Sequence, residues 1–118
     1  MGETTSSSIK KSVTKAQVRR LEGWGLKASL TSTTAKHLIW YIERARHGVS
    51  DDRHFQERIA LVKRLQDERL GKQVHRKSNG QLGTILDLHF TYTGLFSYRV
   101  DWGAYHSIVL VEWCVLDD

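Results

Sequence analysis

The strongest constraint on this chain is a change of hydrophobic period near Lys72. Before it, apolar residues recur every three or four positions; beyond it, they recur every second one. One element cannot serve both periods, because a helix turns side chains by about 100° per residue and a strand by about 180°. The chain must therefore build a helical layer first and a strand layer second, the α+β order. At 118 residues this is one compact unit, or two small lobes sharing a core.

In the first half, "TKAQVRRLEGWGL" opens with Thr14 and Gln17 at capping-box spacing, with Val13 placed to staple onto Val18. Val18, Leu21 and Trp24 then follow a helical step until Gly23 and Gly25 break it. A second helix begins after Thr31, its predicted N-cap, with Leu30 outside; Ala35, Leu38, Ile39, Ile42 and Ala45 form its stripe. Arg44, Arg46 and His47 occupy the last turn, and Gly48 ends it. Trp40 and Tyr41 fall beside the stripe, where they either widen it or stand exposed for a purpose, and Trp24 and Trp40 are expected at the seam between helices and strands. Ser50 caps a third helix, with Asp51 and Asp52 in its first turn and Phe55, Ile59, Val62 and Leu65 inward. Arg53, Glu57, Arg58, Lys63, Arg64, Asp67, Glu68 and Arg69 are assigned to its solvent face, and Gly71 stops it. The polar, Ser/Thr-rich residues 1–13 read as a mobile arm.

In the second half, "KQVHRK" is a short strand and "SNG" a hairpin turn. "GTILDLHFTYT" alternates Leu86, Leu88, Phe90 and Tyr92 against Asp87, His89 and Thr91. "FSYRVDW" places Phe96, Tyr98, Val100 and Trp102 on one face. "SIVLVEWCVL" is apolar on both faces, the pattern of a strand enclosed on both sides. Short strands at this spacing, joined by tight turns, predict a small antiparallel barrel. Three regions result: an arm over 1–13, helices over 14–71 and strands over 72–118.

The order "GKQVHRKSNGQLGTILDL…YRVDWG…IVLVEWCVL" resembles the SH3-like small barrels of the Tudor and KOW type. Gly71, Val74, Gly80, Gly83, Ile85, Tyr98, Val100 and Trp102 carry the likeness, over about the last 47 residues. It implies an α+β chain in which an N-terminal three-helix segment is followed by a C-terminal SH3-like antiparallel β-barrel. Such barrels serve many functions; Tyr92, Tyr98, Trp102 and Tyr105 are the candidate partner-binding aromatics. A fainter likeness, carried by Thr14, Gln17, Leu21, Leu30, Thr31, Ala35, Leu38 and Ile39, is to a helical module at the ends of phage recombination, single-strand annealing and other mobile-element proteins.

Charge divides as the periods do. Residues 1–77 hold 17 Lys/Arg against 8 Asp/Glu, and residues 78–118 hold 1 against 5, balances of +9 and −4. A cationic front suggests an anionic partner. Lys10, Lys11, Lys15, Arg19, Arg20, Lys27, Lys36 and Arg44 are the candidate phosphate contacts, giving salt-sensitive binding of DNA or RNA with weak sequence preference. A helix-turn-helix interpretation would offer Ser32, Thr33, Lys36 and Trp40 to a groove. The expected function is a small cytoplasmic nucleic-acid-binding accessory protein with an acidic, protein-docking strand lobe; the alternative is a protein–protein adaptor or complex subunit. The lone Cys114 lies in an apolar run and reads as a buried thiol. The six histidines show no zinc spacing, and the Gly23-Trp24-Gly25 turn lacks the Lys and Ser/Thr of a phosphate loop. Neither an enzyme, a cofactor nor a membrane span is expected.

Overall fold

A computed structural model describes residues 12–48 and 52–117, with the backbone alone for 45–48 and 52. Three helices come first: α1 (Lys15–Gly23), α2 (Ser32–Gly48) and α3 (Asp52–Arg69). Five strands follow: β1 (Gln73–Arg76), β2 (Leu82–Thr91), β3 (Gly94–Asp101), β4 (His106–Leu110) and β5 (Cys114–Leu116). The α+β order read from the change of period is the observed one.

The helix ends obey their local chemistry. The Thr14 hydroxyl accepts from the Gln17 amide at 3.1 Å, and the Gln17 side chain accepts from the Thr14 amide at 3.0 Å, completing the capping box. At the other end the Gly25 amide donates to the Glu22 carbonyl and the Leu26 amide to the Leu21 carbonyl, both 2.9 Å. This is a Schellman stop, and it requires the left-handed φ of 81° that Gly25 supplies. Thr31 caps α2 by accepting from the Thr34 amide at 3.2 Å. Ser12 pairs with Thr31 in an isolated bridge and Val13 packs on the core, so these two residues belong to the folded body. The rest of the expected arm, with Lys10 and Lys11, lies outside the described residues, as do Ser50, Asp51 and the side chains of Ala45, Arg46, His47 and Asp52.

The strands form one antiparallel sheet in the order β4-β3-β2-β1-β5. Closure of a barrel is not seen: β4 and β5 are the two edges, and no pairing joins them among the described residues. The reason lies in the run expected to be a single enclosed strand. A 3₁₀ turn at Val111–Trp113 splits it, sending β4 to pair with β3 and β5 with β1. Ile108, Trp113 and Val115 are exposed, so that run is not buried on both faces. Four strand spacings of about 4.8 Å would set the edges of a flat sheet ~19 Å apart. A three-residue 3₁₀ turn rises only ~2 Å per residue, so the sheet must curl strongly to let it bridge them.

Two register shifts modify the simple alternation. One falls between Ile85 and Asp87, the other between His89 and Phe90. The second leaves Phe96 without a partner and exposed, although Tyr98, Val100 and Trp102 of the same predicted face are buried. At Gly83, a Cβ would stand 2.5 Å from Val100 Cγ1 and 2.7 Å from Trp102 Cε3. Glycine is required there by close packing of β3 on β2.

Helices and sheet share one core that runs from Leu21, Leu38 and Ile42 through Phe55 and Val62 to Val74, Ile85, Val100 and Val109. Trp24 meets Phe55 edge-on at 5.6 Å, within the helical layer. The seam itself is made by Tyr41, which stacks on Phe90 at 5.2 Å. Arg58 closes this stack from the other side, 4.4 Å from the Tyr41 ring and donating to the Tyr41 carbonyl at 2.5 Å. Arg69 likewise points inward and donates to the Tyr98 hydroxyl at 2.7 Å. Two of the arginines assigned to the solvent face of α3 are therefore packing residues, their aliphatic stems covering apolar surface while the guanidinium finds a buried acceptor. Replacing Gly83 with Ala is expected to lower stability by about 1–3 kcal/mol through overpacking, measured by urea denaturation against the parent chain.

Candidate functional site

Because Tyr41 turns into the seam, its neighbour Trp40 is rotated out of it, and 44% of Trp40 is exposed. Phe90 holds the end of β2 against α2, which brings Tyr92, 48% exposed in the β2–β3 turn, to the same spot. The Trp40 and Tyr92 rings stand 6.1 Å apart with 31° between their planes. His37, one helical turn back, lies 5.6 Å from the Trp40 ring. These side chains, with Phe90 and Thr91, line an apolar cleft of about 210 Å³. Trp40 thus stands where α2 meets the β2–β3 turn, as the exposed residue of the pair Trp40-Tyr41.

Cations frame these rings. Lys36, Trp40 and Arg44 are spaced four residues apart and so share one face of α2, about 6 Å per step along the axis. Lys36 Nζ lies 4.9 Å from the centroid of Trp40, and the Arg44 guanidinium 4.7 Å from that of Tyr92. At exposed sites such contacts contribute about 0.5–1 kcal/mol each, little enough for a charge-assisted bond to an anion to replace them. On the far side of Trp40 a second cleft of about 300 Å³ separates α1 from α2, lined by Ala16, Gln17, Arg20, Lys36, Ile39 and Trp40. Arg20 there is bridged to Glu43 at 3.3 Å. Its charge is partly compensated, whereas Lys36, the other cation of this cleft, meets the Trp40 ring rather than a carboxylate.

The remaining expected cations lie on α1 and on the loop that follows it. Lys15 and Arg19 are exposed on α1 and line neither cleft. Lys27 is exposed on the loop after α1, whose backbone is clamped by Gln66 of α3 through bonds of 2.8 and 3.0 Å. Among the described residues, Lys36 and Arg44 lie beside the Trp40 and Tyr92 rings, and Arg20, bridged to Glu43, shares the second cleft with Lys36.

Of the four aromatics assigned to partner binding, two are corrected by burial. Tyr98 is 2% exposed with its hydroxyl held by Arg69, and Trp102 is 7% exposed with its indole N–H donating to Ser107 at 2.7 Å. Tyr105 is exposed and its hydroxyl reaches Gln81 at 3.4 Å, far along the sheet from Tyr92. These four rings form no cage. Trp40 and His37 were missed as partners of Tyr92, because a contact between residues 40 and 92 leaves no local trace in the sequence.

Beneath the cleft, polar groups are buried and held. Asp87 is 6% exposed and accepts from the Leu30 amide at 2.8 Å, tying the α1–α2 loop to the sheet. Burial raises its carboxyl above the usual range, against the amides of Leu30 and Leu88 and the charge of Arg99. It pairs across strands with Arg99, while Asp101 lies opposite Thr84, so the two carboxylates do not face each other. His89 Nδ1 is 3.3 Å from the Thr34 hydroxyl. Burial, then Arg99 and His37, hold its imidazole down at about 4. His75 pairs with Asp117 at 2.7 Å and His106 lies 3.7 Å from Asp101, so the three strand histidines have separate surroundings. Among the described residues no group of three or more His, Cys, Asp or Glu is arranged to hold a metal ion, and no helix is long and apolar enough to cross a membrane. Cys114 is half-buried, and burial raises its thiol.

A second exposed aromatic surface lies at the opposite end of β2. Trp113, 56% exposed, borders a notch of about 480 Å³ with Arg76, Lys77 and Ser78. Next to it Leu82 and Val115 are the cross-strand neighbours of His75, and both are exposed.

No protein-family model matches the chain, and no curated protein or solved structure matches it.

The sign of the His89 effect follows from its lowered value. The unfolded chain takes up a proton near pH 6.5, whereas the folded chain resists until about 4. The stability present above pH 6.5 is therefore lost as pH falls through about 4, at up to roughly 1.4 kcal/mol per pH unit. Asp87 pulls the other way, since its raised carboxyl favours the fold at acid pH. A His89→Gln variant is thus expected to show a flatter fall of the urea midpoint between pH 6.5 and 4 than the parent.

Proposed function

We propose that the chain is a small nucleic-acid-binding accessory protein whose contact surface is the exposed face of α2 with the β2–β3 turn. The observation that carries this reading is the alternation Lys36, Trp40, Arg44 along one helix face, completed by Tyr92 from the sheet. Cations placed beside exposed rings are what a polyanion with aromatic bases recruits: phosphates release counterions to Lys and Arg, and the rings supply stacking area. A surface built only to stay soluble would carry the cations without placing two large aromatics between them. The positive balance of the first 77 residues adds long-range attraction for the same partner.

A protein-docking role at the other end of the sheet is the second reading, favoured by Trp113, Leu82 and Val115 standing exposed beside the β5 edge. Edge strands with adjacent apolar side chains accept an added strand from a partner. The two surfaces have no lining residue in common, so a variant in one serves as the control for the other.

For the nucleic-acid surface, the Lys36→Ala, Arg44→Ala double variant is expected to bind DNA or RNA more weakly whatever its sequence. The slope of log K against log salt should shrink by roughly 0.7–0.9 for each phosphate that is no longer neutralised. Anisotropy titrations from low to moderate salt read both effects. Binding that ignores salt, or that the double variant leaves intact, would sink the proposal. For the second surface, Trp113→Ala should leave that affinity unchanged.

A further inference from the structure

Resting on that reading, we infer that the ligand is a single strand, and that an unpaired base enters the cleft between Trp40 and Tyr92 while Lys36 and Arg44 take its flanking phosphates. Three features of the molecule favour a single strand over a duplex.

The first is the kind of surface offered. Trp40, Tyr92 and Phe90 line the cleft, so it is mainly apolar, with His37 and Thr91 as the polar members; the cations over the Trp40 and Tyr92 rings are exchangeable. A base can use such a surface only through its own face. In a duplex both faces of every base are already covered by stacking, and only edges and phosphates are accessible. The second is shape. A recognition helix must protrude far enough to enter a major groove about 12 Å wide. The exposed stripe of α2 is walled instead: Tyr92 stands 6.1 Å from Trp40 on one side, and α1 borders the second cleft on the other, with Ala16, Gln17 and Arg20. Duplex backbones would meet these walls before Trp40 met a base. The third is linear order. Lys36 and Arg44 sit one helical turn to either side of Trp40, about 12 Å apart along the axis. Cation, ring and cation on one line follow a single backbone with a base turned inward, rather than the two backbones of a duplex.

The cleft also has the right capacity. Once opened, a cleft of about 210 Å³ has room for one planar base rather than a stacked pair. The present gap between the rings is less than two stacking distances, so entry requires the β2–β3 turn to swing Tyr92 outward slightly. Glycine at position 94, with a φ of 136°, closes that turn. His37 lines the cleft beside Trp40, while Lys36 and Arg44 exchange their ring contacts for phosphate oxygens.

The test uses the full chain and a fluorescein-labelled strand of mixed sequence, about 15 nucleotides long to span one binding site, offered alone, annealed to its complement, and as the RNA equivalent, all at low salt. The single strand, as DNA or RNA, is expected to bind at least tenfold more tightly than the duplex. Trp40→Ala should weaken single-strand binding by about 5- to 100-fold, as removal of a stacking platform does, and leave weak duplex binding unaltered. Trp40→Phe should restore most of the affinity, and Tyr92→Ala should reproduce the weakening. Circular dichroism melting of each variant confirms that it is folded; both rings are half-exposed, so their removal spares the core. Duplex binding as tight as single-strand binding, or single-strand affinity indifferent to Trp40 and Tyr92, overturns the inference while leaving the nucleic-acid reading in place. Failure of all three ligands to bind at low salt overturns both.

Discussion

The stack of Arg58 on Tyr41 on Phe90 is the contact on which the arrangement depends. It passes through three elements, α3, α2 and β2, and it joins layers that the chain builds from unlike sequence. A stacked aromatic pair adds about 0.5–1.5 kcal/mol beyond the area it buries, and its geometry also sets orientation. With Tyr41 facing the sheet, the helix must carry Trp40 about 100° away, to the surface. With Phe90 facing the helix, the turn two residues later must deliver Tyr92 beside it. The buried pair thereby positions the exposed pair. Asp87, accepting from the Leu30 amide, and Gln66, clasping the backbone of Lys27, pin the α1–α2 loop to the sheet and to α3.

Electrostatics follow from the packing rather than from the charge count. Several cations that add to the positive balance are engaged within the molecule: Arg58 on Tyr41, Arg69 on the Tyr98 hydroxyl, Arg76 over Trp102 at 4.4 Å and, at the surface, Arg20 on Glu43. Lys63 and Arg64 face Asp67 and Glu68 one turn along α3. The cations that remain beside an organised surface are few, and Lys36 and Arg44 are distinguished from the others by the rings they frame. Position relative to an aromatic cleft, more than net charge, separates them from a solvated helix face.

The sheet shows how a small change in backbone course alters which side chains are offered. Two register shifts along β2 and β3, and a 3₁₀ turn within the last apolar run, move Phe96, Ile108, Trp113 and Val115 to the surface. Tyr98 and Trp102 go the other way, into the core, Trp102 against Gly83, whose lack of a side chain admits it. The aromatics that resembled a partner-binding set are therefore divided between core and surface.

What could be read from the sequence was local. The capping box of Thr14 and Gln17, the glycine stop at Gly25, the Thr31 cap and the switch to strand period after Lys72 each depend on residues within a few positions of one another. Those interactions are complete within a turn or a hairpin. The seam, the exposure of Trp40, the burial of Asp87 and Trp102, and the open order of the sheet join residues far apart along the chain. No periodicity encodes such pairs, because they arise when one layer settles on another and each side chain takes the space its neighbours leave. Residue order alone dictates that helices precede strands, and where most of them begin. Which cations and rings share a surface is a property of the packed layers, since it depends on how α2 is rotated against β2.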